Sequence, residues 1–169
     1  MKKILLVAAV AAGLSGGAAQ AATGNSATGT GTANAVVVGP LQITHNTGAA
    51  LNFGSFTAGT GGTVTVTSAG VASATGDVGL VTGSSPTADA FTVVGTPNRA
   101  FGITASSSNT VSTGGATPAT MPFSVSAANS ASLTAGGTFA LAVGGTLTVG
   151  SGQAAGAYTG SYTVTVTYQ

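Results

Sequence analysis

The 169 residues contain no cysteine, no tryptophan and no glutamate, and their only lysines are Lys2 and Lys3. Without cysteine there is no disulfide, so stability has to come from backbone pairing and packing. A spontaneous Lys–Asn crosslink is likewise excluded beyond position 3 by the missing lysine. Past the first three residues the fixed charges are Asp77, Asp89 and Arg99, with His45 the single histidine. One arginine cannot build the basic surface that phosphate contacts require, so nucleic acid is not an expected partner. One histidine and two aspartates far apart in sequence match no dedicated metal-ligand spacing, and no cofactor or small-molecule substrate is expected.

What is present begins with an export signal. Lys2 and Lys3 form a basic start, Ile4 to Leu14 an apolar run, and Ala19-Gln20-Ala21 an A-x-A cleavage site, which predicts a secretory signal peptide over residues 1–21. The run is well short of the roughly 20 residues that span a bilayer, which argues against a membrane anchor. A chain starting at Ala22 is one domain in size, long enough to bury about two-thirds of its unfolded surface.

The remaining chain is rich in Thr, Ser, Gly, Ala and Val, and its dominant pattern has period 2, the signature of half-buried strands. Tyr158, Tyr162, Val164, Val166 and Tyr168 share one face of a long C-terminal segment, with threonines and serine between them, which predicts one strand over 158–168 and a core-facing row. Shorter alternations centre on Val64 and Val66, Phe91 and Val93, Phe101 and Ile103, and Phe123 and Val125. Phe139, Leu141 and Val143 precede Gly144-Gly145, and Leu147 and Val149 follow, which reads as a tight hairpin with a two-residue turn. Gly61-Gly62, Thr96-Pro97-Asn98, Gly114-Gly115 and Gly136-Gly137 supply further turns. No stretch has helical spacing with good helix formers around it. Eight or so short strands with Gly-rich turns predict an all-β sandwich of immunoglobulin-like, Greek-key type, over residues 39–169. Phe53, Phe56, Phe91 and Phe101 are expected in its interior.

Edge strands are normally guarded by charge or proline, and this chain has almost no charge for that purpose. Either its edges are hidden within one copy or they are meant to pair with another. Residues 22–38 bear on the choice. Ala22 to Thr32 is small and polar, and Thr28 to Val38, TGTGTANAVVV, alternates well enough to become a strand once a partner edge is supplied. The segment is either the first strand of its own domain or a donor strand that inserts Ala33, Ala35, Val36 and Val37 into a neighbouring subunit.

Sharper chemistry finds little support. Gly13 to Gly17 fits G-x-S-x-G but lies in the export signal. His45 with Asp77 or Asp89 and a serine would complete a hydrolase triad, yet HNTGAA reads as a polar turn where an exposed histidine is commonplace. Gly59 to Gly62 lacks the lysine of a phosphate loop and leads into a strand. Arg99 reads as a turn residue able to pair weakly with Asp89 or Asp77. No enzymatic activity is expected.

The segments Thr32 to Thr44 (TANAVVVGPLQIT), Leu51-Asn52-Phe53-Gly54, GGTVTV, and the ending with Gly156, Tyr158, Thr163, Val164, Val166 and Tyr168 resemble the exported bacterial domain-of-unknown-function family 4402. More distantly they are similar to spore coat protein U-like subunits and archaic chaperone–usher pilins. That resemblance implies an immunoglobulin-like subunit lacking one strand and completed by the N-terminal extension of the next, with a periplasmic chaperone and an outer-membrane usher as assembly partners. The coat and pilin relatives commonly carry cysteine near the first strand, and this chain has none. The leading expectation is therefore a structural subunit of an extracellular, cell-surface homopolymer. The alternatives are a surface-associated glycan-binding module and an outer-membrane β-barrel, the latter thinly supplied with girdle aromatics at nine in all. Amyloid-type stacking of Thr/Val runs is a minor variant.

Overall fold

The structure, a computed structural model, describes Gly24 and residues 28–169, so the predicted export signal and the Gly13 to Gly17 match lie outside the described residues. The chain divides into one unit ending at Val36 and a second running from Val37 to Gln169. Every strand belongs to the second. In chain order they are β1 (Gln42–His45), β2 (Phe56–Thr57), β3 (Gly62–Val66), β4 (Ala72–Gly76), β5 (Gly79–Leu80), β6 (Asp89–Val94), β7 (Ala100–Ala105), β8 (Asn109–Ser112), β9 (Thr120–Ser126), β10 (Ser130–Ser132), β11 (Thr138–Val149), β12 (Thr159–Gly160) and β13 (Val164–Tyr168). The described residues contain no helix, as the absence of helical spacing predicts.

All pairings are antiparallel. The large sheet runs β1-β6-β11-β9-β8-β12, with the β3–β4 hairpin joined to β11; a three-stranded sheet runs β10-β7-β13, and β2 pairs with β5. Two apolar cores result. Val93, Leu141 and Val143 of the large sheet meet Phe101 and Ile103 of the three-stranded sheet, an arrangement consistent with a β-sandwich. Val64, Val66, Met121, Phe123, Leu147 and Val149 form the second core with Phe53 and Val78. Val125 and Tyr162 touch both. Phe53 and Phe101 are buried, while Phe56 and Phe91 are half-buried against the cores, so all four expected interior phenylalanines face inward.

Two expectations need correction. Gly144-Gly145 is no turn: β11 is one continuous strand of twelve residues with the glycines at its centre. Before them β11 pairs with β6, and at and beyond them with β9 and β3. A Cβ on Gly144 would run into the Val66 carbonyl oxygen, and one on Gly145 would lie 2.7 Å from the Ser124 carbonyl oxygen. The pair is there because neighbouring backbones approach closely where the strand changes partners.

The second correction concerns the C-terminal strand. The alternation over 158–168 persists, with Tyr158, Tyr162, Val164, Val166 and Tyr168 half-buried and the intervening residues exposed. The ladder does not. β12 pairs with β8 in the large sheet, whereas β13 pairs with β7 in the other, and residues 161–163 carry the chain from one layer to the next.

Candidate functional site: an open strand edge

β13 is the last strand and, among the described residues, has a neighbour on one side only. Against β7, Thr165 lies opposite Thr104 and Thr167 opposite Gly102. The Ser106 N–H donates to the Thr163 carbonyl, and the Gln169 N–H donates to the Ala100 carbonyl. Antiparallel ladders alternate, so the odd-numbered residues spend their backbone groups on β7. The N–H and C=O of Val164, Val166 and Tyr168 point to the opposite, unoccupied edge.

The side chains of those same three residues face the core but are only half-covered. Val93, Phe101 and Val143 in the same cluster are 0 % exposed. Across the seam, Leu41 just before β1 and Ile43 within it are half-buried against the same cluster. Among the described residues β1 is itself an edge strand, paired with β6 alone. The sandwich is thus open along the seam between β1 and β13, with an apolar floor and a row of free backbone groups along one wall.

Each end of the seam is closed by a tyrosine. At the C-terminal end, the Tyr168 hydroxyl accepts from the Thr96 N–H at 2.7 Å and donates to the Gly39 carbonyl at 3.1 Å. Gly95 has to be small there, since a Cβ would collide with the Tyr168 hydroxyl. At the other end, the carboxylate of Asp89 is 5 % exposed and accepts three hydrogen bonds: from the Tyr162 hydroxyl at 2.6 Å, from His45 Nε2 at 2.7 Å and from the Ala90 N–H at 2.7 Å. A buried carboxylate is tolerable only with such partners. Burial, and then the hydrogen bond and charge of Asp89, push the Tyr162 hydroxyl well above the usual phenol range. The His45 side chain is 49 % exposed and its ring lies 4.9 Å from that of Phe91.

These contacts revise several sequence expectations. His45 is the last residue of β1 rather than a turn residue. Among the described residues Arg99 joins neither aspartate: Asp89 is bonded to His45 at 2.7 Å, and Asp77 accepts from the Thr60 N–H at 2.9 Å. Histidine and aspartate do meet, but the third member is Tyr162, and among the described residues no serine hydroxyl is bonded to His45. No group of three His, Cys, Asp or Glu able to hold a metal occurs among the described residues. The roles of Asp89 and Tyr162 were not foreseen. A signal existed: Asp89 shares the alternation phase of Phe91 and Val93, so an acid occupies a core-facing position and must find donors.

The proposed donor residues lie before the first strand. Ala33, Ala35, Val36 and Val37 carry no strand assignment, and Val36 and Val37 are 83 % and 94 % exposed. The first strand of the described chain begins at Gln42.

No curated protein and no solved structure matches the chain. A family model described as Domain of unknown function (DUF4402) matches residues 41–168, nearly the whole of the stranded unit. With most of its length and every one of its strands inside that match, this chain belongs to the DUF4402 family.

Proposed function

We propose that the chain is a structural subunit of an exported, extracellular homopolymer in which residues 28–38 of one copy add as a strand to the open edge of β13 in the next. The observation that carries this reading is the coincidence, at β13, of free backbone groups with half-covered core side chains. The chain order also supports it. Read as an immunoglobulin-like sandwich, the order β1-β6-β11-β9 corresponds to A-B-E-D and the neighbours β7 and β13 to C and F, a reading in which strand G would lie beside β13.

An incoming strand makes main-chain hydrogen bonds and presents alternate side chains to the seam. Ala33, Ala35 and Val37 lie on one face of the donor segment, and their small size suits a seam already partly filled by Leu41, Ile43, Val164 and Val166. The nearly uncharged surface fits the same reading, because an edge that another copy occupies needs no charged guard.

Electron microscopy of the purified native protein should show fibres. Deletion of residues 22–38 should abolish them while leaving a folded domain that a peptide spanning residues 28–38 stabilises against heat. Ordinary fibres from the truncated protein would overturn the proposal, as would a truncated domain indifferent to the peptide.

A further inference from the structure

The arm of residues 28–38 and the seam it is proposed to fill belong to the same chain, and a tethered strand competes strongly with a free one. A short flexible tether holds its strand at an effective concentration in the millimolar range. At about 10 μM protein, a copy's own arm would therefore outcompete a neighbour's by roughly a hundredfold. Polymerisation requires that the arm be denied its own seam, and in this respect the inference rests on the polymer reading above.

Three hydrogen bonds close a ring where the arm joins the domain. The Gly39 N–H donates to Thr96 Oγ1 at 2.8 Å, the Thr96 N–H donates to the Tyr168 hydroxyl at 2.7 Å, and that hydroxyl donates to the Gly39 carbonyl at 3.1 Å. Both polar backbone groups of Gly39 are thus committed to the Tyr168 end of the seam. β1 starts from the same end, at Gln42, and finishes at His45 beside Asp89. An arm entering this seam would have to double back between Val38 and Gln42.

Every residue available for that reversal resists it. The two-residue turns that join antiparallel strands need a positive φ at the first central residue, and one of the two types needs it at the second as well. Pro40 cannot supply the second, and it biases the residue before it toward extended backbone. Gly39 could supply the first, but its φ is not positive, and rotating it there would turn its N–H and C=O off Thr96 and Tyr168. Upstream stand Val36, Val37 and Val38, β-branched residues for which positive φ is sterically costly.

We infer that the ring of Gly39, Thr96 and Tyr168, with Pro40 after it and three valines before it, denies the arm its own seam and commits it to the seam of a second copy. Tyr168 and Thr96 are the positioning residues. A strand from another copy meets none of these restrictions. It can also run antiparallel to β13, whereas an arm doubled back from Gly39 would run parallel, the slightly less stable pairing.

The test uses full-length protein. Gly39→Asn with Pro40→Gly supplies the sequence that favours a two-residue turn, Tyr168→Phe opens the ring, and Gly39→Ala forbids the turn while keeping the ring, since its methyl would meet Thr96 Oγ1 at an ordinary 3.5 Å. At about 10 μM, G39N/P40G should lose fibre yield about tenfold or more and remain monomeric in sedimentation. Its Tm should exceed that of unpolymerised wild type and should no longer respond to a peptide spanning residues 28–38. Y168F should move the same way by less, and G39A should polymerise as wild type does. A protein that is merely destabilised would still respond to the peptide, which separates positioning from a purely structural role. Wild-type fibres together with undiminished fibres and peptide response in G39N/P40G and Y168F would overturn this inference alone, as would loss of fibres in folded G39A. Wild-type protein that forms no fibre but gains Tm from the peptide, while G39N/P40G does not, would sink the polymer reading and uphold the ring.

Discussion

Replacing Tyr162 by Phe removes one oxygen from the most polar point of the interior. The ring keeps its edge contacts with Phe91 and Phe123, both at 6.3 Å between centroids, so packing is nearly conserved and the lost hydrogen bond dominates. That bond runs to a carboxylate 5 % exposed to solvent. A hydrogen bond to a charged acceptor contributes about 1.5–3 kcal/mol. The lower half of that range applies, because the tyrosine itself is half-exposed and screened by water. For a domain of this length, about 2 kcal/mol corresponds to a fall in Tm of roughly 5–8 °C.

The same substitution has a pH signature. Tyr162 in the folded protein holds its proton more tightly than in the unfolded chain, so the unfolded state loses that proton first as pH rises above about 10. Stability linked to this group is complete below pH 10 and declines above it, by at most about 1.4 kcal/mol per pH unit and by less after screening. Thermal unfolding followed by circular dichroism at pH 7 and at pH 11 reads both effects. The gap between wild type and Y162F should be several degrees at pH 7 and should narrow at pH 11. An unchanged Tm at pH 7, or a gap that stays constant between the two pH values, would refute the account of the Asp89 cluster.

Other perturbations test the remaining contacts. Gly144→Ala should destabilise by about 2 kcal/mol or more in denaturant titration, since its methyl meets the Val66 carbonyl and other backbone atoms that cannot yield, whereas Thr148→Ala on the outer face of the same strand should change little. Tyr168→Phe should lower stability by about 1–2 kcal/mol, because the Thr96 N–H loses its acceptor and the Gly39 carbonyl its donor. Val37→Lys should leave the Tm of the unpolymerised protein within a degree or two, as the side chain is 94 % exposed. The same variant should reduce fibre yield sharply in electron microscopy if Val37 enters the seam of a neighbour.

Much of the architecture was legible because strand burial has a period that residue types report directly. The rows Val64 and Val66, Phe91 and Val93, and Phe101 and Ile103 fall on strands whose inward residues are the apolar ones. The misread hairpin was also legible in principle. A two-residue turn at Gly144-Gly145 would set Thr146 and Thr148 on the face of Val143, whereas the apolar residues Leu147 and Val149 keep the phase of Leu141 and Val143, as one uninterrupted strand requires. Glycine pairs advertise conformational freedom and close approach alike, and phase decides between them.

Composition and alternation alone determined that this chain is all-β, free of crosslinks and nearly uncharged at its edges, because those properties depend on residue type and local periodicity. Which strand lies beside which was decided only by the tertiary structure. Alternation over 158–168 is unbroken, yet the ladder passes from β8 to β7, because side-chain phase carries no information about the hydrogen-bonding partner. The meeting of His45, Asp89 and Tyr162 likewise joins residues far apart in the chain, and a buried carboxylate selects its donors from whatever the fold brings within reach. The open edge of β13 belongs to the same class of fact: the sequence supplied a strand able to pair on both sides, and the topology left one side free.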